Sequence, residues 1–309
     1  MSRARTRPSP SRYEFSTATV RFRSEGEWCV GDLYRPDRPA DAPVVVMANG
    51  FAAHREFALP AVAERFAEAG FASLLFDHRN HGDSDGEPRH LTLPGRLRTD
   101  WTAALEAIRR LDGVDGSRVA LWGTSYAGGI ALETAATVDD RRIQAVVAQL
   151  PLVDGRAVAL NRSPGYLARA SLAALRDRVG GLVGRPHSVP VVTDGDEFAA
   201  LDAPDAYDGY LSTIPADAEW DNAVPARSLL SIPFFRPASD LDRLPCPALL
   251  VAATDDDLVP ASSVEAAADA IPEATLVRLP VGHFDLHDGP GFEQAMGHEL
   301  TFLRAHLSA

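Results

Sequence analysis

The sequence predicts an α/β fold: a mostly parallel, twisted sheet with helices on both faces and a segment inserted over one edge. Three observations predict it. Between residues 44 and 149, short continuous apolar runs alternate with stretches of helical spacing in the order β-α-β-α-β-α-β, the pattern of right-handed crossovers in a parallel sheet. Residues 119–130, VALWGTSYAGGI, read as a buried strand, a sharp turn and the start of a helix. From 151 to 242 the alternation stops and then resumes, so about ninety residues stand between two core strands, too many for a simple connection.

The elements follow in order. Residues 1–14 open with MSRARTRPSPSR, four arginines and two prolines with no apolar stretch, and are expected to be a disordered tail. Residues 18–23 alternate and 28–34 follow a Glu25-Gly26 turn, an antiparallel pair at the sheet edge. Residues 44–47 are a strand buried on both faces, ending at Ala48-Asn49-Gly50-Phe51. Helical spacing over 55–69 stops at Gly70, and 71–76 is the next buried strand. A polar loop from Asp77 to Gly86, a helix over 95–111, the strand and helix around Ser125, and a strand over 143–149 complete the first half. The inserted segment holds a helix over 165–179, an apolar run at 189–192 and an aromatic stretch at 231–235. The sheet resumes at 248–253, followed by a helix over 262–270, a strand over 274–279 and a closing helix over 292–307. The expected organisation is therefore a core of 15–150 and 243–309 with 151–242 as a cap.

Bulk composition excludes several function classes. A net charge of −13 over 309 residues argues against a nucleic-acid partner, because phosphate binding needs a basic surface. No apolar run approaches the roughly 20 residues of a membrane-spanning helix. All thirty basic residues are arginine; the absence of lysine removes Schiff-base chemistry, P-loop nucleotide sites and Ser-Lys dyads. Cys29 and Cys246 are far apart, with no metal-ligand spacing, and are expected to be small core residues. No cofactor and no metal is expected, and the expected location is cytoplasmic.

Chemistry centres on Ser125. A strand running straight into a helix forces the residue at the bend into a sparsely populated backbone conformation, which needs small neighbours; Gly123 and Ala127 flank it at minus two and plus two. The turn lifts the Ser125 hydroxyl clear of the sheet. The Tyr126 N–H points to the same place from the first helical turn, where the dipole favours a developing oxyanion. A serine nucleophile needs an imidazole to take its proton and a carboxylate to hold that imidazole's tautomer. His283 follows the last strand and Asp256 follows the strand before it, so the chain order Ser125, Asp256, His283 suits this layout. Asp255 and Asp257 are alternatives to Asp256, which the Asp-x-x-x-Pro spacing to Pro260 favours; His287 and His298 are expected to be surface or loop residues.

At these residues the chain resembles the α/β-hydrolase superfamily over nearly its whole length. The pieces ANGFAAHRE, FDHRNHGDSDGEPR, WGTSYAGG, TDDDLVP and GHFD look most like the group of polyketide transferases, dienelactone-hydrolase-like proteins and bacterial esterases. The resemblance implies Ser125 as nucleophile, His283 as base, Asp256 as its orienting acid, and an oxyanion hole from the N–H groups of Phe51 and Tyr126. Asn49 departs from the histidine that many members carry before the glycine, and Ala127 from the usual glycine. Asp77, His78, His81 and Asp83 match the family's structural strand-end loop rather than a metal site. Phe51, Tyr126, Trp220, Phe234 and Phe235 are candidates to line an acyl pocket, with packing inside the cap as the alternative for the last three. The expected substrate is a small carboxylic ester or thioester. Acyl transfer to an alcohol or amine, peptide cleavage and a non-catalytic pocket receptor are the rivals.

Overall fold

The computed structural model describes residues 12–195 and 197–307. The expected tail lies, up to residue 11, outside the described residues. Tyr13 and Glu14 are already tied to the core, through Tyr13 N–H to Glu68 O at 2.9 Å and Asp37 N–H to Glu14 O at 2.7 Å.

Eight strands form the main sheet: β1 (Phe15–Ser24), β2 (Glu27–Pro36), β3 (Ala42–Ala48), β4 (Ala72–Phe76), β5 (Val114–Thr124), β6 (Ile143–Gln149), β9 (Ala248–Ala253) and β10 (Ala274–Leu279). A separate two-stranded ribbon, β7 (Ser188–Val189) with β8 (Val224–Pro225), lies in the insertion. The sheet order is β1-β2-β4-β3-β5-β6-β9-β10, and every pairing is parallel except those of β2 with β1 and β4. The crossover helices are α1 (Leu59–Glu68), α2 (Pro94–Ala107), α3 (Tyr126–Thr137) and α7 (Ala261–Ala270), α8 (Gly289–Leu307) follows the last strand, and the insertion contributes α4 (Gly155–Leu160), α5 (Pro164–Gly181) and α6 (Ala206–Ser212).

Strand side chains alternate between two cores, as the period of two requires. Val44, Val46 and Ala48 of β3 join α2, α3, α7 and parts of the insertion on one face. Val45 and Met47 join α1 and α8 on the other. Every residue of β3, β4 and β9 is buried, which accounts for their predominantly apolar runs. Cys29 and Cys246 are buried free thiols within the first core.

The strand ends place the site. β3, β5, β9 and β10 all deliver their carboxyl ends to one edge, and the segment between β6 and β9 packs over that edge. Its folding is irregular: a 3-10 run over Ala226–Phe234 and the short helices α4 and α6 occupy stretches where no helical spacing is visible in the sequence. Asn222 holds part of it by accepting from Val191 and Val192 N–H at 2.9 and 3.1 Å. Among the described residues, no helix is long and apolar enough to cross a membrane.

Candidate active site

Ser125 sits between the last residue of β5 and the first of α3, with φ 53° and ψ −119°. Backbone bonds hold this strained turn from both sides. Ser125 N–H donates to Gln149 O at 2.8 Å, and Ser125 O accepts from Leu152 N–H at 3.0 Å. Gly123 is obligatory here, since a Cβ on it would lie 2.4 Å from Ala127 O. The tight approach falls at the minus-two position, so Ala127 fits at plus two, fully buried.

His283, in the loop after β10, brings Nε2 to 3.1 Å from Ser125 Oγ and Nδ1 to 2.7 Å from Asp256 Oδ2. With the carboxylate accepting from Nδ1–H, the lone pair of Nε2 faces the serine. Asp256 is itself fixed by accepting on Oδ1 from Leu258 N–H at 2.7 Å and Val259 N–H at 2.8 Å. Its side chain is 1 % exposed, whereas Asp255 and Asp257 face solvent. The turn of β9 into α7 thus selects one carboxylate of three.

The loop after β3 closes the third side. Asn49 Nδ2 donates to His54 O and Phe57 O, both at 2.9 Å, while its Oδ1 accepts from Gly50 N–H at 2.8 Å. Asparagine therefore supplies its own supporting bonds at the position where histidine is common in the resembled family. Two insertion residues brace the same loop: Tyr210 OH donates to Phe51 O at 3.0 Å and Trp220 Nε1 to Ala52 O at 3.3 Å. The loop passes close to the serine, since a Cβ on Gly50 would lie 3.4 Å from Ser125 Cβ and 3.7 Å from Tyr126 N. Tyr126 N–H belongs to the first helical turn and has no intrahelical partner.

Ser125 and His283 open onto a cavity of about 360 Å³ with mainly apolar walls, drawn from the core loops and from α4, α5, α6 and the 3-10 run. The α/β hydrolase fold family matches residues 43–290. This chain belongs to that family. It is similar to the quorum-quenching protein AidA of Acinetobacter baumannii (strain MDR-ZJ06), 36% identical over 286 residues that cover 92% of this chain and 93% of that one. It is also similar to polyketide transferase af380 of Aspergillus fumigatus (strain ATCC MYA-4609 / CBS 101355 / FGSC A1100 / Af293), 29% identical over 86% of this chain and 90% of that one. Among solved structures, DcsB in complex with its substrate analogue superposes with a TM-score of 0.82 at 25% identity, over 95% of this chain and 100% of that one.

Within this α/β hydrolase fold, Phe51, Tyr126 and Phe234 stand on the cavity wall. Trp220 and Phe235 do not; they lie behind it. Phe235 is buried and stacks on the Tyr126 ring at 5.0 Å, while Trp220 stacks on Tyr210 at 5.2 Å and packs edge-on to Phe57. Both hold wall residues in place instead of forming wall. His287 is a loop residue, as expected, half-buried between β10 and α8. A turn from Phe284 O to His287 N–H, 3.2 Å, folds its ring back onto the cavity, and burial, then the neighbouring His283, lowers its pKa to about 4. His298 is exposed on α8. Tyr210, which braces the Phe51 loop, carries no motif of its own in the sequence.

The strand-end loop after β4 is a bracing element. Asp77 accepts from Arg55 N–H at 2.7 Å and pairs with the Arg55 guanidinium, which also reaches Asp32 at 2.8 Å and Asp83 at 2.8 Å. His81 Nδ1 lies 2.9 Å from Arg79 O, and His78 lies 3.5 Å from buried Asp100.

Proposed function

We infer that this protein is a serine hydrolase that cleaves a carboxylic ester or thioester. The observation that carries the reading is the series Ser125 Oγ, His283 Nε2, His283 Nδ1, Asp256 Oδ2, spaced 3.1 and 2.7 Å across its two gaps at a mainly apolar cavity. In this reading Ser125 Oγ attacks the acyl carbon as His283 Nε2 takes its proton, and Asp256 stabilises the resulting imidazolium. The tetrahedral oxyanion is held by the N–H groups of Phe51 and Tyr126. Collapse breaks the C–O or C–S bond, and His283 returns the proton to the leaving alcohol or thiol. Water, deprotonated by the same imidazole, then releases the acid and restores Ser125. One donor of such an oxyanion hole is worth about 3–4 kcal/mol, so the braced Phe51 loop counts nearly as much as the three side chains. The insertion serves as a cap whose apolar wall receives the acyl group.

The decisive experiment is labelling of the purified protein with a fluorophosphonate probe, followed by peptide mapping. Label is expected on Ser125 and lost in Ser125→Ala. A folded, unlabelled wild-type protein would leave a pocket receptor as the better reading.

Acyl transfer is the second reading, favoured by the similarity to a protein named polyketide transferase. The same residues would form the acyl-enzyme, and an alcohol or amine would replace water. Partition of product between free acid and conjugate, measured with one acyl donor and a series of acceptors, separates the two.

A further inference from the structure

The cavity that Ser125 and His283 open onto has, among the described residues, one wall residue with a permanent charge: Arg162, between α4 and α5. Val158, Ala159, Leu167 and Ala170, the wall residues nearest to it in the chain apart from Tyr166, are apolar, and no acid among the described residues stands on the wall. The described acids of the adjoining stretch, residues 194–221, all face solvent. A cation on a mainly apolar wall is costly once the space beside it is filled, unless the filling brings an anion.

The Arg162 side chain is held in place while its charge stays unanswered. Its Nη1 donates to Asp202 O, and its guanidinium carbon lies 5.6 Å from the centre of the Tyr166 ring. Tyr166 is pinned in turn, its OH donating to Ala200 O at 2.6 Å and its ring 5.1 Å from that of Phe198. Among the described residues Arg162 is in no ion pair. Its Nε and Nη2, the edge of the guanidinium that pairs side-on with a carboxylate, have no protein acceptor there either. Those donors need water or a ligand, and Arg162 is half-buried. A wholly apolar acyl chain that filled the cavity would displace the water and leave them unpaired. A site built this way disfavours a substrate that lacks the matching group.

We propose that Arg162 selects an acyl group that carries a carboxylate, so that the preferred substrate is an ester or thioester of a dicarboxylic acid with its second acid group free. The proposal rests on the hydrolase reading above and names the substrate class for the same site. The apolar wall takes the methylene chain, and the guanidinium takes the charged end in a bidentate pair. Because Tyr166 and Asp202 hold the guanidinium before binding, little ordering is lost when the pair forms. The anion belongs to the acyl group and not to the leaving group, since Arg162 stands in the insertion, whose wall receives the acyl group in that reading.

The test uses mono-p-nitrophenyl esters of adipic, suberic and sebacic acid, each beside its neutral twin in which the second acid group is a primary amide. For at least one chain length the wild type should have the higher kcat/KM on the charged ester. The ratio of charged to neutral should fall about tenfold in Arg162→Gln and recover in part in Arg162→Lys, which keeps the charge without the fork. An Arg162 that only tethers the insertion would lower both esters together; an unchanged ratio overturns the proposal. So does a preference that appears only when the carboxylate is moved onto the nitrophenol. Calorimetry of the charged ester on Ser125→Ala, with and without Arg162→Gln, reads the same contact with no turnover. Binding weakened about tenfold by the second change is expected, and equal binding overturns the proposal. A protein that binds the charged ester through Arg162 yet turns over neither ester refutes the hydrolase reading alone.

Discussion

His54 and His90 face each other through their Nε2 atoms at 2.9 Å, both rings buried, and His90 Nδ1 lies 2.8 Å from Ala223 O in the insertion. His90 donating from Nδ1 to that carbonyl leaves its Nε2 as acceptor, so His54 donates and both rings are neutral. The contact links the Phe51 loop to the insertion through one shared proton.

A pH dependence follows from this pair. Burial, then the His90 ring, lowers the His54 pKa to about 3, and burial also lowers that of His90. The unfolded chain takes up protons near pH 6.5, before the folded one does. Stability is therefore fully present above pH 6.5 and is lost as pH falls toward the folded value. His54 alone should remove about 3 kcal/mol between pH 6.5 and 4. Urea midpoints of wild type and His54→Gln across that range check it: the variant's slope should be shallower. Parallel slopes would refute the assignment.

Tyr210→Phe removes the one hydroxyl that grips Phe51 O. It leaves a buried carbonyl without its partner, at a cost of about 1–2 kcal/mol. In the proposed chemistry it also loosens an oxyanion donor. Turnover of p-nitrophenyl butyrate should fall about tenfold in kcat with little change in KM; an unchanged kcat would remove Tyr210 from the positioning set.

Gly123→Ala places a methyl 2.4 Å from Ala127 O, and the bend cannot relax without moving Ser125. A stability loss of about 2–4 kcal/mol, with fluorophosphonate labelling slowed in whatever remains folded, is expected. Wild-type labelling at wild-type stability would contradict the strained-turn account.

Glu299 is buried on α8, accepting from Trp122 Nε1 at 3.0 Å and Gln149 Nε2 at 2.7 Å. Burial raises its pKa to about 7. The folded state here holds its proton longer than the unfolded one, so stability falls as pH rises from 4.5 through 7. Glu299→Gln should leave stability near pH 5 little changed and raise it at pH 8. Differential scanning at the two pH values decides; a variant destabilised equally at both would show the carboxylate to be required.

Much of this was legible before any coordinates. β3 and β9 are unbroken apolar runs because both their faces are covered, and the Ser125 turn announces itself through Gly123 and the strand before it. Asp256 and His283 were readable because each follows a strand directly. The insertion was not. The run over Ala226–Phe234, α6 and the β7–β8 ribbon take their shape from contacts distant in sequence, such as Asn222 on Val191 and Asp177 on Arg227, which leave no local period. Tyr210 and Trp220 acquire their positions from that packing. For the same reason Trp220 and Phe235, aromatic and near the cavity, could not be told from wall residues by type alone.

The insertion both shapes the cavity wall and, through Tyr210 and Trp220, grips the loop that carries Phe51. In the proposed chemistry, selectivity and rate are thereby geared together. A chimera that borrows this segment from a relative exchanges its substrate preference and its turnover in one move, and directed evolution aimed at either property has to re-tune both.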